Sequence, residues 1–263
     1  MSEPSPSDAA KLAAARAAVA LVQDGMAVGL GTGSTASVMV RELAARAKAE
    51  GLDLRCAATS KATADLAESL GLRVEGLDAI GRLDLTIDGA DEVDPDLNLI
   101  KGGGGAHLRE KIVACSSDRM VVIADPGKVV EQLGAFHLPV EVIPFGWEAT
   151  RDRIKSTLED MDLAGRPVLL RMREGAPFVT DEGNSILDLS LECIPDAPAL
   201  NRALNAIPGV VENGLFIGIC DLALIGQPDG SVVELAADRD QSAVNADPDA
   251  EVDPLFGDIG EPE

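Results

Sequence analysis

The chain has 263 residues, 46% apolar and only 2% aromatic, with a formal net charge of −23. That length suits one large domain or two moderate ones filled by Ala, Val, Leu and Ile, and so acidic a surface repels phosphate backbones, which argues against nucleic acid. No run of 18 apolar residues and no basic-then-apolar leader occurs, so the expectation is a soluble, cytoplasmic protein with no membrane partner.

Residues 1–7 read as a frayed start. The alanine-rich pattern over 8–22 predicts a helix ended by Gly25. Residues 26–30 predict a short strand, followed by Gly31-Thr32-Gly33-Ser34-Thr35 and a helix over 36–50. Strand, glycine loop and helix in that order point backbone N–H groups and a positive helix end at an anion. A dinucleotide site would need a third glycine where Ser34 stands and an acid closing the second strand. That strand, 54–58, ends instead in Thr59-Ser60. The nicotinamide reading therefore falls, and the hydroxyls of Thr32, Ser34 and Thr35 favour a small phosphate monoester. A tight turn with a hydroxyl cap is the simpler alternative for the loop alone.

Ser60 caps a helix to residue 70, and 73–75 and 83–87 read as short strands. The second delivers Asp88 at its carboxyl end, where ligands sit in open α/β sheets. Residues 88–111, DGADEVDPDLNLIKGGGGAHLREK, then break all periodicity with six acids and four consecutive glycines. Such a stretch is costly as core, because buried carboxylates and flexible backbone both oppose folding. An acidic loop closed by a helix cap would explain it blandly; a site loop explains more. Glu110 falls in the first turn of the following helix, where the dipole favours its charge and a dry pocket opposes it. Lys101 can neutralise charge developing on an oxygen, and Asp88 and Asp91 offer a second acid/base. Base, cation and acid together fit proton abstraction beside a carbonyl, and with the phosphate cradle they narrow the substrate to a sugar phosphate. Glu92, Asp94 and Asp96 read as solvated loop.

Residues 120–124 predict a buried strand, and Asp125-Pro126-Gly127 a turn presenting Lys128. From about residue 134 the pattern becomes strand (139–143), helix (147–161), strand (168–172), a hairpin of 177–180 with 185–189, and helix (198–207). This predicts a small α+β domain, 134–204, inserted into a larger one made of 1–133 and 205–237. Strands at 210–211, 222–225 and 232–235 are expected to rejoin the main sheet, and the tail 238–263 to be acidic and disordered.

Six blocks in order resemble the ribose-5-phosphate isomerases of the A type, from about Ala10 to Leu235. They are Gly31 to Thr35; Asp88-Gly89-Ala90-Asp91-Glu92; Lys101-Gly102-Gly103-Gly104-Gly105 with Arg109-Glu110-Lys111; Pro139-Val140-Glu141-Val142; Thr180-Asp181-Glu182-Gly183-Asn184; and Ala206-Ile207-Pro208-Gly209-Val210-Val211. The resemblance implies a Rossmann-like open sheet with an inserted ferredoxin-like α+β domain. It implies a cofactor-free aldose–ketose isomerase of the pentose phosphate pathway, assembled as a homodimer or homotetramer, interconverting ribose 5-phosphate and ribulose 5-phosphate through a cis-enediol. Glu110 would be the base and Lys101 the enediolate's partner. Asp88 would assist ring opening or hydroxyl proton transfer, with Asp91 on the hydroxyls. Thr32, Gly33, Ser34, Thr35, Asp88, Gly89, Ala90, Asp91, Lys101, Gly102, Gly103, Gly104 and Lys128 would hold the substrate. His107, where an aliphatic residue is more usual, reads as a surface or packing histidine, and Cys220-Asp221 replaces Ala-Asp. A non-catalytic sugar-phosphate sensor is the alternative, opposed by the joint presence of Glu110, Lys101, Asp88 and Asp91. An acyl-CoA transferase-like enzyme is opposed by the Asp-Gly-Ala-Asp block and the short chain.

The cysteines, Cys56, Cys115, Cys193 and Cys220, lack disulfide or zinc spacing, and with two distant histidines no metal site is expected. The acidity is global: the tail from Asp238 contributes −8 and the preceding 237 residues −15, with seven lysines against fifteen arginines. That balance predicts adaptation to a salty cytoplasm, where screening relaxes self-repulsion. The melting temperature should therefore rise between low and molar potassium chloride, and equal values would refute the adaptation.

Overall fold

The structure, a computed structural model, describes residues 5–236, so the predicted tail lies outside the described residues. Helix α1 (Pro6–Val19) starts earlier than predicted because Ser5 accepts the Asp8 N–H at 3.1 Å and Pro6 occupies the first turn. In chain order there follow β1 (Ala27–Leu30), α2 (Ser34–Glu50), β2 (Arg55–Ala58), α3 (Lys61–Ser69), the short α4 (Leu77–Ile80) and β3 (Leu85–Gly89). Residues 73–75 contribute only an isolated bridge, Cys56 to Val74, and no strand.

The stretch 88–111 is less irregular than its composition suggests. After Asp88, itself within β3, it folds into a hairpin of β4 (Glu92–Val93) and β5 (Leu99–Ile100), then enters α5 (His107–Cys115). Asp94 closes the hairpin, its Oδ1 accepting the N–H groups of Asp96 and Asn98 at 3.0 and 2.8 Å. Glu92 is buried and accepts the backbone N–H groups of Gly134, at 2.7 Å, and Phe136. Glu92 and Asp94 are thus not solvated loop, as expected, but the acceptors that two turns require; only Asp96 is exposed.

Next come β6 (Met120–Ala124), a 3-10 turn (Pro126–Lys128), β7 (Leu138–Val142), α6 (Trp147–Glu159), β8 (Val168–Leu170), β9 (Met172–Arg173), β10 (Ala176–Pro177), β11 (Ser185–Leu189), α7 (Ala197–Asn205), β12 (Val210–Asn213), β13 (Leu215–Phe216), β14 (Leu222–Gly226) and β15 (Val232–Ala236). The main sheet has the order β15-β14-β6-β3-β1-β2, parallel except for β15. Its central strands are buried apolar runs, as strands covered on both faces must be. Small residues of α1 (Ala14, Ala15, Ala18) pack with Met39, Val40 and Leu43 of α2 over one face.

The second sheet, β12-β7-β11-β8, is antiparallel throughout, and β7-α6-β8-β11-α7-β12 is the ferredoxin-like arrangement. Val140, Leu187, Ile154 and Leu200 meet in its core. Two expectations are corrected here. Residues 210–211 do not rejoin the main sheet: β12 covers the otherwise open edge of β7. Residues 177–180 do not pair as a hairpin with β11, whose two edges are taken by β7 and β8, while Ala176–Pro177 pairs with β9. Strands at 222–226 and 232–236 do close the main sheet, and β13 joins β5 and β4 in a three-stranded sheet.

Replacing Glu92 by Ala strands two backbone donors in a dry turn. Such a change costs about 3 kcal/mol, to be read as a lower urea midpoint at unchanged slope.

Candidate active site

Adjacent parallel pairing of β1 with β3 brings the loops after Leu30 and Gly89 to one crevice. There a cavity of about 340 Å³ opens. Every predicted site residue lines it except Asp88, and Lys11, Ala36 and Asp125 line it as well. Lys11 escaped the sequence reading because a lone lysine in an alanine-rich helix carries no local mark; only the packing of α1 beside α2 brings it to the cavity.

One end of the cavity is built for an anion. Gly33, at φ 115°, caps α2 without a side-chain bond, and no acid occupies the helix's first turn. The N–H groups of Ser34, Thr35 and Ala36 keep no acceptor among the described residues, and Lys11 and Lys128 stand at the same cavity. Thr32 departs from expectation. Its hydroxyl turns away from the ligand space into a cluster with Thr59, Ser60 and Thr63 at 2.7, 2.9 and 3.1 Å. Ser60 and Thr63 arrive with α3, so the β1 loop is pinned by the next βα unit. Gly31 must lack a side chain, since a Cβ there would stand 2.1 Å from Asp88 Oδ1.

Lys101 and Glu110 line the cavity as well, and with Asp88 behind them they form a group of three buried ionisable side chains. Lys101 Nζ lies 2.9 Å from Asp88 Oδ2 and 3.3 Å from Glu110 Oε2, and donates to the Gly89 carbonyl at 2.5 Å. Asp88 is fully buried, and its Oδ1 accepts the N–H groups of Thr32 at 3.0 Å and Gly89 at 2.7 Å. A pair at 3.3 Å attracts by about 5 kcal/mol at an effective dielectric of 20, against several kcal/mol for desolvating each ion. One ammonium can therefore sustain one carboxylate, not two. Burial raises both acids despite Lys101; Glu110, further from the ammonium, without Asp88's two N–H donors and repelled by Asp88, is pushed up to about 8. Burial works against the Lys101 charge, but Asp88 and Glu110 outweigh it and raise its pKa. The helix dipole at Glu110 loses to desolvation.

Asp91 faces the cavity and accepts the Gly103 N–H at 2.8 Å. His107 is fully buried at the start of α5 rather than on the surface; burial first, then Lys111, lowers its pKa to about 3, leaving it neutral. The helix is held on both sides of Glu110. Arg109 pairs with Glu182 and, at 3.5 Å, with Asp181, and Lys111 donates to Glu212 at 2.8 Å and the Asn213 carbonyl at 2.7 Å. Among the described residues no three His, Cys, Asp or Glu side chains group to hold a metal ion, and no helix is long and apolar enough to cross a membrane.

A carboxyl whose folded pKa is raised favours the folded state while protonated. That contribution is full below its unfolded pKa of 4.5 and is lost as pH rises through about 8. Glu110→Gln removes this loss. The variant should melt higher than the parent at pH 9 and close to it at pH 5; a difference independent of pH would refute the raised pKa.

Residues 55–230 match the family described as ribose 5-phosphate isomerase A (phosphoriboisomerase A). A ribose-5-phosphate isomerase A of Dinoroseobacter shibae is 61% identical over 88% of each chain. That of Ruegeria pomeroyi is 56% identical over 98% of this chain and 99% of its own, so the likeness runs into the acidic tail, beyond the expected limit near Leu235. A solved D-ribose-5-phosphate isomerase in complex with phospho-erythronic acid superposes with a TM-score of 0.79 at 35% identity, covering 86% of this chain and 97% of that one. With its strand order, glycine loop and buried Asp–Lys–Glu group all in place, the chain belongs to the ribose 5-phosphate isomerase A family.

Proposed function

We propose that the protein interconverts D-ribose 5-phosphate and D-ribulose 5-phosphate in the non-oxidative branch of the pentose phosphate pathway, with Glu110 as the base. The observation that carries this reading is the buried Glu110 carboxyl, its proton affinity raised, beside a buried ammonium in a cavity that an unsatisfied helix N-terminus also lines. Phospho-erythronic acid, held by the solved relative, joins a phosphate to a carboxylate, and those two anions match the two ends of this cavity.

In its charged form Glu110 takes the proton from C2 of the open aldose, and the C2 electrons form the C1–C2 double bond as the carbonyl π pair moves onto O1. Lys101 offsets that charge. Transfer of the O2 proton to O1 and return of the C2 proton to C1 from Glu110 give the ketose. The cis arrangement keeps O1 and O2 on one side, within reach of one cation. Asp91 is the carboxylate facing the substrate hydroxyls, and it takes the hydroxyl role first given to Asp88. Asp88, behind the wall, fixes Lys101 and the Thr32 N–H. The α2 N-terminus, Lys11 and Lys128 hold the phosphate. No metal or cofactor enters these steps. On this reading the protein works in the cytoplasm as a homodimer or homotetramer, for which exposed Phe145, Leu169 and Val179 offer apolar surface.

In deuterium oxide with EDTA, the chain should convert ribose 5-phosphate to the ketose, followed by NMR. Because the base must be unprotonated, kcat/KM should fall as pH drops below the raised Glu110 pKa. Glu110→Gln should lower kcat at least about 100-fold with substrate still bound, whereas Lys128→Ala should mainly raise KM. Near-normal turnover in Glu110→Gln would remove the base assignment; no turnover by the parent in any salt would remove the activity.

A further inference from the structure

The glycine run 102–105 carries the cation of the site at one end and leads to its base at the other. Glycine loses more backbone freedom on ordering than any other residue, so a working loop of four needs an external hold. That hold comes from the second sheet. Arg171, between β8 and β9, donates from Nη1 to the Gly102 carbonyl at 2.9 Å and the Gly103 carbonyl at 3.2 Å. Asp188 of β11 fixes the guanidinium by two parallel bonds, Nε to Oδ2 at 2.9 Å and Nη2 to Oδ1 at 2.5 Å. The Arg171 side chain is only 11% exposed, and its backbone N–H is tied to the Ile186 carbonyl at 2.8 Å. This pair therefore acts from a rigid sheet.

A trans peptide points its C=O and N–H in opposite directions. Drawing the Gly102 and Gly103 carbonyls toward Arg171 aims the N–H groups of Gly103 and Gly104 the other way. The Gly103 N–H indeed meets Asp91 Oδ2 at 2.8 Å. The Gly104 N–H has no acceptor among the described residues and belongs to a cavity-lining glycine. We propose that Arg171, oriented by Asp188, is a positioning residue for the isomerisation: it holds the glycine loop so that the Gly104 N–H meets a substrate oxygen and Lys101 and Asp91 keep their places. This rests on the isomerase reading. Only arginine serves, because the site uses separate donors on one planar group for two carbonyls and a carboxylate.

The phosphate end lies outside this contact, which gives the test its contrast. Parent, Arg171→Ala, Arg171→Lys and Asp188→Asn are compared for kcat and for inhibition by inorganic phosphate. Arg171→Ala and Arg171→Lys should lose about 100-fold in kcat, the scale of an ångström of misplacement, with phosphate inhibition near the parent's. Millimolar guanidinium should restore part of the loss in Arg171→Ala and do nothing for the parent. A folded Arg171→Ala with kcat near the parent's, or one losing kcat, phosphate affinity and melting temperature together without guanidinium response, overturns the proposal. If Arg171→Ala does not fold, Asp188→Asn decides: lowered kcat with unchanged phosphate inhibition supports the role, and parental kcat overturns it. A parent without turnover removes the isomerase reading and this role with it.

Discussion

The Lys101 ammonium is the constraint on which the rest of the structure depends. Among the described residues it is the one cation shared by two buried carboxylates and a backbone carbonyl. Its single charge opposes the burial that raises both carboxyl groups, and Glu110, further from it than Asp88, is pushed up to about 8. Three elements must converge for this: the carboxyl end of β3, the residue after β5 and the first turn of α5. The β4–β5 hairpin makes the convergence possible by returning the chain beside β3, where the Asp91 N–H meets the Ile100 carbonyl at 2.8 Å. Gly31 has no side chain for the same reason, since Asp88 occupies the space a Cβ would need.

Much of this was legible in the sequence because its signals are local. The apolar runs at 26–30, 83–87 and 120–124 alternate with helical patterns, so a parallel sheet and its crevice could be read from order alone. Asp88, Lys101 and Glu110 stood out as charges where no periodicity could excuse them. What escaped depends on distant partners. Glu92 looks like any loop acid until residues 134–136 bring two N–H groups to it. Thr32 looks like a phosphate ligand until Thr59, Ser60 and Thr63 claim its hydroxyl. The place of 210–211 escaped because an apolar pair fits either sheet, and only the open edge of β7 decides. Arg171 sits in the one-residue break between β8 and β9, about 70 positions from the glycines it holds.

The two units meet in more than one contact. The turn Thr180 to Asn184 leaves its sheet to serve three partners. Asp181 accepts the first N–H of α3, from Lys61, at 2.8 Å; Glu182 pairs with Arg109, next to Glu110; and Thr180 and Asn184 both donate to the buried Glu141 at 2.9 Å. The loop after β1 is thereby braced through α3 and Ser60, and Glu110 through α5. The second unit does not enter the cavity wall, yet both halves of the site are held against it.

Those braces share a position in time as well as in space. Arg171, Asp181, Asp188 and Glu212 all follow the partners they hold in the glycine loop, α3, Arg171 and α5, and β14, which lies between β6 and β15 and against α1, follows them in turn. A ribosome therefore delivers every group of the chemistry first and the geometry afterwards. A nascent chain halted before β11 carries Glu110, Lys101 and Asp88 but lacks Asp188, Glu212 and β14, so the contacts these make to Arg171, Lys111 and α1 form only when the chain is nearly complete.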